Sequence, residues 1–196
     1  MPCGIARHLD PQSGIVTHTS FDASGTKEGW SEALLQDEKV IWHKSYDSEG
    51  NLTLRIESKF DNQGRQTEAT YLKGDGSVLH SLVKEYDDNA NTMTQTRYDA
   101  EGNRKPGKIV NRYDDKNNLI RQDWYDSPDS IHLTFEYTYL AGKRQAEIQS
   151  SFGKVFKKKI SKQDKLGNIK ETHTYESVED SEELILREIK ISDYKY

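Results

Sequence analysis

Six histidines, His8, His18, His43, His80, His132 and His173, are the side chains best suited to act as bases or metal ligands. They lie too far apart for a local ligand pair. On the repeat register set out below, His80 and His173 share the face of the tyrosines, while His43 and His132 take the other. Scattered histidines of this kind read as structural. The stretch Gly102-Asn103-Arg104-Lys105-Pro106-Gly107-Lys108 has the spacing of a phosphate-binding loop. Ile109 stands where that loop needs a magnesium-binding hydroxyl, and the context is strand-turn-strand rather than strand-loop-helix, so the reading fails. Carboxylates are plentiful, yet a general acid needs a desolvated pocket to raise its pKa, and little apolar material exists to build one. No H-E-x-x-H, G-x-S-x-G or paired Cys/His nucleophile pattern occurs. The chain reads as non-enzymatic, with no catalytic, cofactor-binding or metal residue to name.

Binding chemistry offers more. Trp124 precedes Tyr125 and therefore points the opposite way on a strand, beside Ile120 and Gln122. An indole on a hydrophilic face is an anchor of the kind that dominates interfaces, so Trp124, Ile120 and Gln122 are the candidate partner-binding residues. A bulge turning Trp124 inward is the competing arrangement. Trp42 shares its face with Val40 and Tyr46 and is expected in the core.

The elements that position these residues come from a repeat. An aromatic followed by Asp, then two residues, then Gly or Asn, returns along the chain: Phe21-Asp22 with Gly25, Tyr46-Asp47 with Gly50, Phe60-Asp61 with Gly64, Tyr98-Asp99 with Gly102, Tyr113-Asp114 with Asn117. Asp164 with Gly167 keeps the same spacing. Between residues 46 and 139 the aromatic-to-aromatic steps run from 11 to 15 residues. Asp at the first position of a type I turn accepts bonds from backbone N–H groups ahead of it, and Gly or Asn supplies the left-handed residue that closes the loop. Calcium is the alternative use of such Asp residues, but the further ligands of a calcium loop are missing.

Between turns the residues alternate. Leu52, Leu54, Ile56, Ser58 and Phe60 share one face, with Thr53, Arg55, Glu57 and Lys59 on the other. Leu133, Phe135, Tyr137 and Tyr139 likewise alternate with His132, Thr134, Glu136 and Thr138. Period two over such lengths is the half-buried strand signature. The segment Trp30–Leu35 could form a short helix, but a turn at Asp37-Glu38 keeps the repeat spacing and favours a strand. The expected fold is all-β: an antiparallel meander of roughly 14 strands in a single extended or coiled sheet. Residues 1–14 are expected as an N-terminal segment and residues 15–196 as one domain.

Composition agrees with a thin fold. Of 196 residues 31% are charged and only 33% hydrophobic, with 11 Tyr, 5 Phe and 3 Trp. Mean hydropathy is −0.96. A formal charge of −5 argues against a nucleic-acid surface. Its longest basic run, Lys157-Lys158-Lys159, is answered by Glu176, Glu179, Asp180, Glu182 and Glu183. One cysteine, Cys3, excludes an internal disulfide framework, and no apolar run reaches the length of a membrane helix.

The pattern Tyr46-Asp47-Ser48-Glu49-Gly50-Asn51 and Phe60-Asp61-Asn62-Gln63-Gly64-Arg65 resembles the YD repeats of the rearrangement-hot-spot (Rhs) and teneurin-like proteins, over about residues 21–175. That resemblance implies a strip of β-strands and a setting in bacterial competition or surface recognition. This chain departs from the family by carrying the motif at nearly every turn. It is also far too short to enclose a toxin domain. The expected function is non-catalytic binding of another protein, as an immunity or antitoxin-like partner of a toxin domain. The alternative is a carbohydrate- or cell-envelope-binding module, in which Trp124 stacks on sugar rings. A cytoplasmic location is expected, or a lipid-anchored or periplasmic one if Cys3 is the processed cysteine of a lipoprotein.

Overall fold

The repeated turn is built from its aspartate. In the Asp47 turn, Oδ1 accepts the backbone N–H groups of Glu49 (3.0 Å) and Asn51 (2.8 Å), and Oδ2 accepts the Asn51 side-chain amide at 2.9 Å. Gly50 donates its N–H to the Asp47 carbonyl and holds φ at 92°, a region that disfavours side chains with a Cβ. The bond from the residue four positions on recurs at Asp22 (from Thr26), Asp61 (Arg65), Asp99 (Asn103), Asp114 (Asn118) and Asp164 (Asn168). Gly25, Gly64, Gly102 and Asn117 all have positive φ. Three of these closing residues, Asn103, Asn118 and Asn168, return a side-chain amide to the second carboxylate oxygen, as Arg65 does with its guanidinium. The turn is thus a five-residue unit, its last member as much a part of it as Asp and Gly.

These bonds stabilise the ionised carboxylates. The Ser24 hydroxyl, the Asn51 amide, the Arg65 backbone N–H and the Asn118 amide are the leading causes that hold Asp22, Asp47, Asp61 and Asp114 below the ordinary carboxylate value. At Asp99 the Lys105 ammonium, 2.7 Å away, acts first and the Asn103 backbone N–H second, and the carboxyl is pushed down to about 2.

The structure, a computed structural model, describes residues 4–164, 168–178 and 183–192. Gly167, Cys3 and the acidic residues Glu179, Asp180 and Glu182 lie outside the described residues. The turns separate fifteen strands: β1 (Gly4–Asp10), β2 (Ile15–Phe21), β3 (Lys27–Gln36), β4 (Lys39–Asp47), β5 (Leu52–Phe60), β6 (Gln66–Lys73), β7 (Val78–Asp87), β8 (Thr92–Tyr98), β9 (Arg104–Tyr113), β10 (Leu119–Ser127), β11 (Ser130–Leu140), β12 (Lys143–Ser151), β13 (Lys154–Gln163), β14 (Ile169–Ser177) and β15 (Leu184–Ile191). They form one sheet in which every strand neighbours its predecessor and its successor in the chain. The fold is an all-β meander.

The strand count exceeds the sequence expectation because Gly4–Asp10, placed there in an N-terminal segment, pairs with β2 along its whole length. Its glycine, Gly14, follows Asp10 at one residue more than the Asp-to-Gly spacing of the repeat, and so escapes the pattern. The Trp30–Leu35 segment is strand, within β3, and Asp37 and Glu38 both take positive φ in the turn that follows. The chain divides into two compact units, Met1–Lys84 with Thr96–Lys105, and Glu85–Gln95 with Pro106–Tyr196. Their boundaries fall inside β7, β8 and β9, where no change of composition marks them.

In the first unit the register lines up Val16, Ala33, His43, Ile56, Tyr71 and His80 on one face. His43 therefore shares a face with Tyr71 and His80, and with an apolar row. The sequence register had set it opposite His80, on the assumption that all motif tyrosines face one way. Tyr46 lies on the reverse face, stacked on Trp30 at 3.9 Å with its hydroxyl donating to Glu32. Lys44 pairs with Glu32 at 3.2 Å and covers the ring of Trp42 at 4.4 Å. Trp42 is accordingly a half-buried cation–π partner on a charged face rather than a core residue. Large aliphatic side chains are scarce inside: the buried hydrophobic residues among those described are Val16, Ala69 and Met93, joined by the polar Thr96, Asn111, Asp123, Ser150 and Thr174.

The candidate site: two faces of strand β10

Strand β10 carries the candidate residues, and its two faces differ in chemistry. One face follows the register Trp124 opposite Ile109 and Leu133, and Gln122 opposite Asn111 and Phe135. Trp124 keeps 41% of its surface exposed. Its indole N–H donates to Gln122 Oε1 at 2.8 Å, Gln122 Nε2 donates to Asn111 Oδ1 at 2.9 Å, and the buried Asn111 amide reaches the Tyr113 hydroxyl at 3.3 Å. This ladder fixes the ring plane from one edge, while Phe135, 5.9 Å away and tilted, supports it from β11. The indole polar group is satisfied within the chain and the ring itself is left open.

Ile120 departs from the simple alternation. Leu119 stands opposite Tyr113 and Arg121 opposite Arg112, so Ile120 is the extra residue of a bulge and period two no longer assigns its face. The apolar companions that the register brings to Trp124 are Ile109, Leu133 and Phe135. A second irregularity lies beside Trp124, where Trp124 pairs with Leu133 and Tyr125 with Ile131. It places the extra residue, His132, in β11 and leaves Trp124 exposed.

The other face of β10 holds a feature that motif reading passed over. Asp123 is fully buried. Arg121 Nε donates to both of its carboxylate oxygens at 2.9 Å, Arg112 Nη1 to one at 2.6 Å, and the Thr134 hydroxyl to the other at 2.8 Å. Arg121 also reaches Glu136 at 3.3 Å. Burial drives the Asp123 carboxyl up, but the bonds from Arg121 and Thr134 and the Arg121 charge outweigh it, so its pKa falls below the ordinary value. With its lone pairs taken by donors, this carboxylate is a structural anion clamped between two arginines. The signal in the sequence is Arg121-Gln122-Asp123 on a strand, which puts opposite charges on one face two residues apart.

Further along the same unit the face of Trp124 becomes charged. Lys157 pairs with Glu176 at 2.7 Å, and Lys159 stands 3.9 Å from Glu147. A shallow groove is lined there by Lys157, Lys159, Thr174, Glu176, Arg187 and Glu188. An exposed aromatic flanked by apolar side chains and a border of both charge signs can dock a surface of matching chemistry. Among the described residues no helix is long and apolar enough to cross a membrane.

No protein-family model and no curated protein matches the chain. Among solved structures it is similar to a porin-like protein from Bacteroides uniformis ATCC 8492, at 12% identity and a TM-score of 0.51, over 97% of this chain and 77% of that one. A protein of unknown function from Bacteroides fragilis NCTC 9343 matches 71% of this chain and 92% of its own, at 9% identity and a TM-score of 0.34. At such identity the first likeness is one of fold alone.

Proposed function

We propose that this chain is a non-catalytic binding protein that docks another protein on the Trp124 face of β9, β10 and β11. The observation that carries the reading is the preorganised indole. Trp124 is open to solvent, yet its N–H and its orientation are fixed by Gln122 and Asn111, so little side-chain freedom is lost when a partner covers it. The charged border of Lys157, Glu176, Lys159 and Glu147 would set the register of a partner and favour one with a complementary pattern. The resemblance of the turn motif to YD repeats makes bacterial competition the setting, with this chain as an immunity or antitoxin-like partner of a toxin domain. Affinity capture from the source cell, with wild type and Trp124→Ala side by side, tests this. The reading expects a protein retained in stoichiometric amount by wild type and lost from the variant. Capture of no such protein, together with glycan-array binding abolished by Trp124→Ala, overturns it in favour of a carbohydrate-binding module.

A further inference from the structure

Among the described residues, strand β15 pairs on one side only, with β14. Its register sets Leu184, Leu186, Ile189 and Ile191 opposite Ser177, Tyr175, His173 and Glu171, which places these four aliphatic residues on one face. Ile185, Glu188 and Lys190 stand opposite Glu176, Thr174 and Thr172 on the reverse face. Between Leu186 and Glu188 the ladder skips a residue, so Arg187 is the extra member of a bulge. Arg187 lines the groove formed by Lys157, Thr174, Glu176 and Glu188, and so shares their face. Leu186, Ile189 and Ile191 are 47%, 48% and 67% exposed, unusual for aliphatic side chains clustered on one strand.

Read along the strand, the face assignment is symmetric about the midpoint between Arg187 and Glu188. This is the condition that antiparallel self-pairing imposes, because directly opposed residues of two antiparallel strands lie on the same face. A regular strand cannot meet it about a midpoint between two residues, since every opposed pair would then combine residues of opposite faces. The bulge removes that obstacle. We infer that β15 is the interface for a second copy of this chain, the two β15 strands pairing antiparallel about a two-fold axis between Arg187 and Glu188. In that register Arg187 meets Glu188 of the second copy, twice over. Leu186 meets Ile189, Leu184 meets Ile191, and Ile185 meets the stem of Lys190. Every ionic contact is between opposite charges, and the apolar face becomes continuous across the junction. The interface is isologous, and it satisfies the free backbone groups of the edge, which bulges and charges elsewhere serve to shield. Strand β1 offers no such match: the register that joins its exposed Ile5 to Leu9 sets Arg7 against Arg7.

Sedimentation equilibrium on wild type and three variants tests the interface, with far-UV circular dichroism to confirm that each variant keeps its strand content. Wild type at about 100 μM is expected at twice the 22.6 kDa chain mass. Arg187→Glu and Glu188→Arg each place like charges together at two points and are expected to weaken the dimer by about tenfold or more. The double variant R187E/E188R restores opposite charges and is expected to return within about threefold of wild type. A monomeric wild type overturns the inference. So does a dimer indifferent to either reversal, or a double variant that stays as weak as the singles.

Discussion

Removing the Asp123 carboxylate is the severest test of how this thin sheet holds together. Asp123→Ala deletes four donor–acceptor contacts made by Arg112, Arg121 and Thr134 and leaves two guanidinium groups facing each other across the β9–β10 pair, where Arg112 and Arg121 are direct register partners. Breaking a buried ion pair from one side costs about 3–5 kcal/mol. Here the two cations keep 41% and 36% of their side chains exposed and Arg121 still reaches Glu136, so part of their repulsion is screened and the expected loss falls to about 2–3 kcal/mol. Asp123→Asn retains the shape and part of the bonding but not the charge, and is expected to lose about 1–2 kcal/mol. Urea unfolding at neutral pH, followed by far-UV circular dichroism, reads both. A third variant, R112M/R121M/D123L, removes the buried carboxylate with both of its arginines and is expected to recover most of the loss, because the charge it leaves without a partner, Glu136, keeps 47% of its side chain in solvent. If Asp123→Ala unfolds within about 0.5 kcal/mol of wild type, the cluster carries no net stability and the reasoning fails.

Other expectations follow from the turns and the close approaches between strands. At Gly50 and Gly102 nothing within 4 Å would meet a new Cβ, so Gly→Val tests φ alone and is expected to cost more than about 1 kcal/mol in the same assay. Gly107 is different: its φ is ordinary, but a Cβ would lie 2.7 Å from the Tyr125 carbonyl, so even Gly107→Ala is expected to destabilise, by about 1–3 kcal/mol. Asp22, Asp47, Asp61, Asp99 and Asp114 have lowered folded-state pKa values, so their contribution to stability is complete above the unfolded value near 3.8 and is lost as pH falls, for Asp99 down through about 2. Carbon-detected NMR titration of Lys105→Met is expected to move the Asp99 midpoint upward and leave that of Asp47 unchanged, since Lys105 is the leading cause only at Asp99.

The turns were the most legible part of this sequence, because a type I turn closed by a left-handed residue is local chemistry. Asp47 and Gly50 need no distant partner to adopt it. The pattern already runs through a fifth residue, Asn51 or Arg65, but it does not announce that residue's role: its side chain bonds back to the aspartate and completes the same turn. Strand identity was equally readable from period two, including the ambiguous stretch at Trp30, since one turn at Asp37-Glu38 keeps the spacing. Face assignments were not. A single bulge reverses the facing of everything beyond it: the shifts beside Tyr46, Ile120 and His132 are why Tyr46 and Tyr71 oppose each other and why Ile120 leaves the alternation. The first strand hid because Gly14 follows Asp10 at one residue more than the repeat's Asp-to-Gly spacing, and Leu9 rather than an aromatic precedes that Asp. Asp123 hid because its partners come from two neighbouring strands as well as its own, and a motif search along the chain sees only Arg121.

The claim that Trp124 anchors a protein partner is tested most directly by measuring affinity for the partner captured with wild type. Calorimetric titration of that partner into wild type, Trp124→Ala and Gln122→Ala separates the anchor from its support. Loss of the indole is expected to weaken binding by at least about thirtyfold, or 2 kcal/mol, and loss of Gln122 by a smaller factor, as the ring stays present but is no longer held. Equal affinity for wild type and Trp124→Ala, within about threefold, would contradict the account and move the docking surface elsewhere.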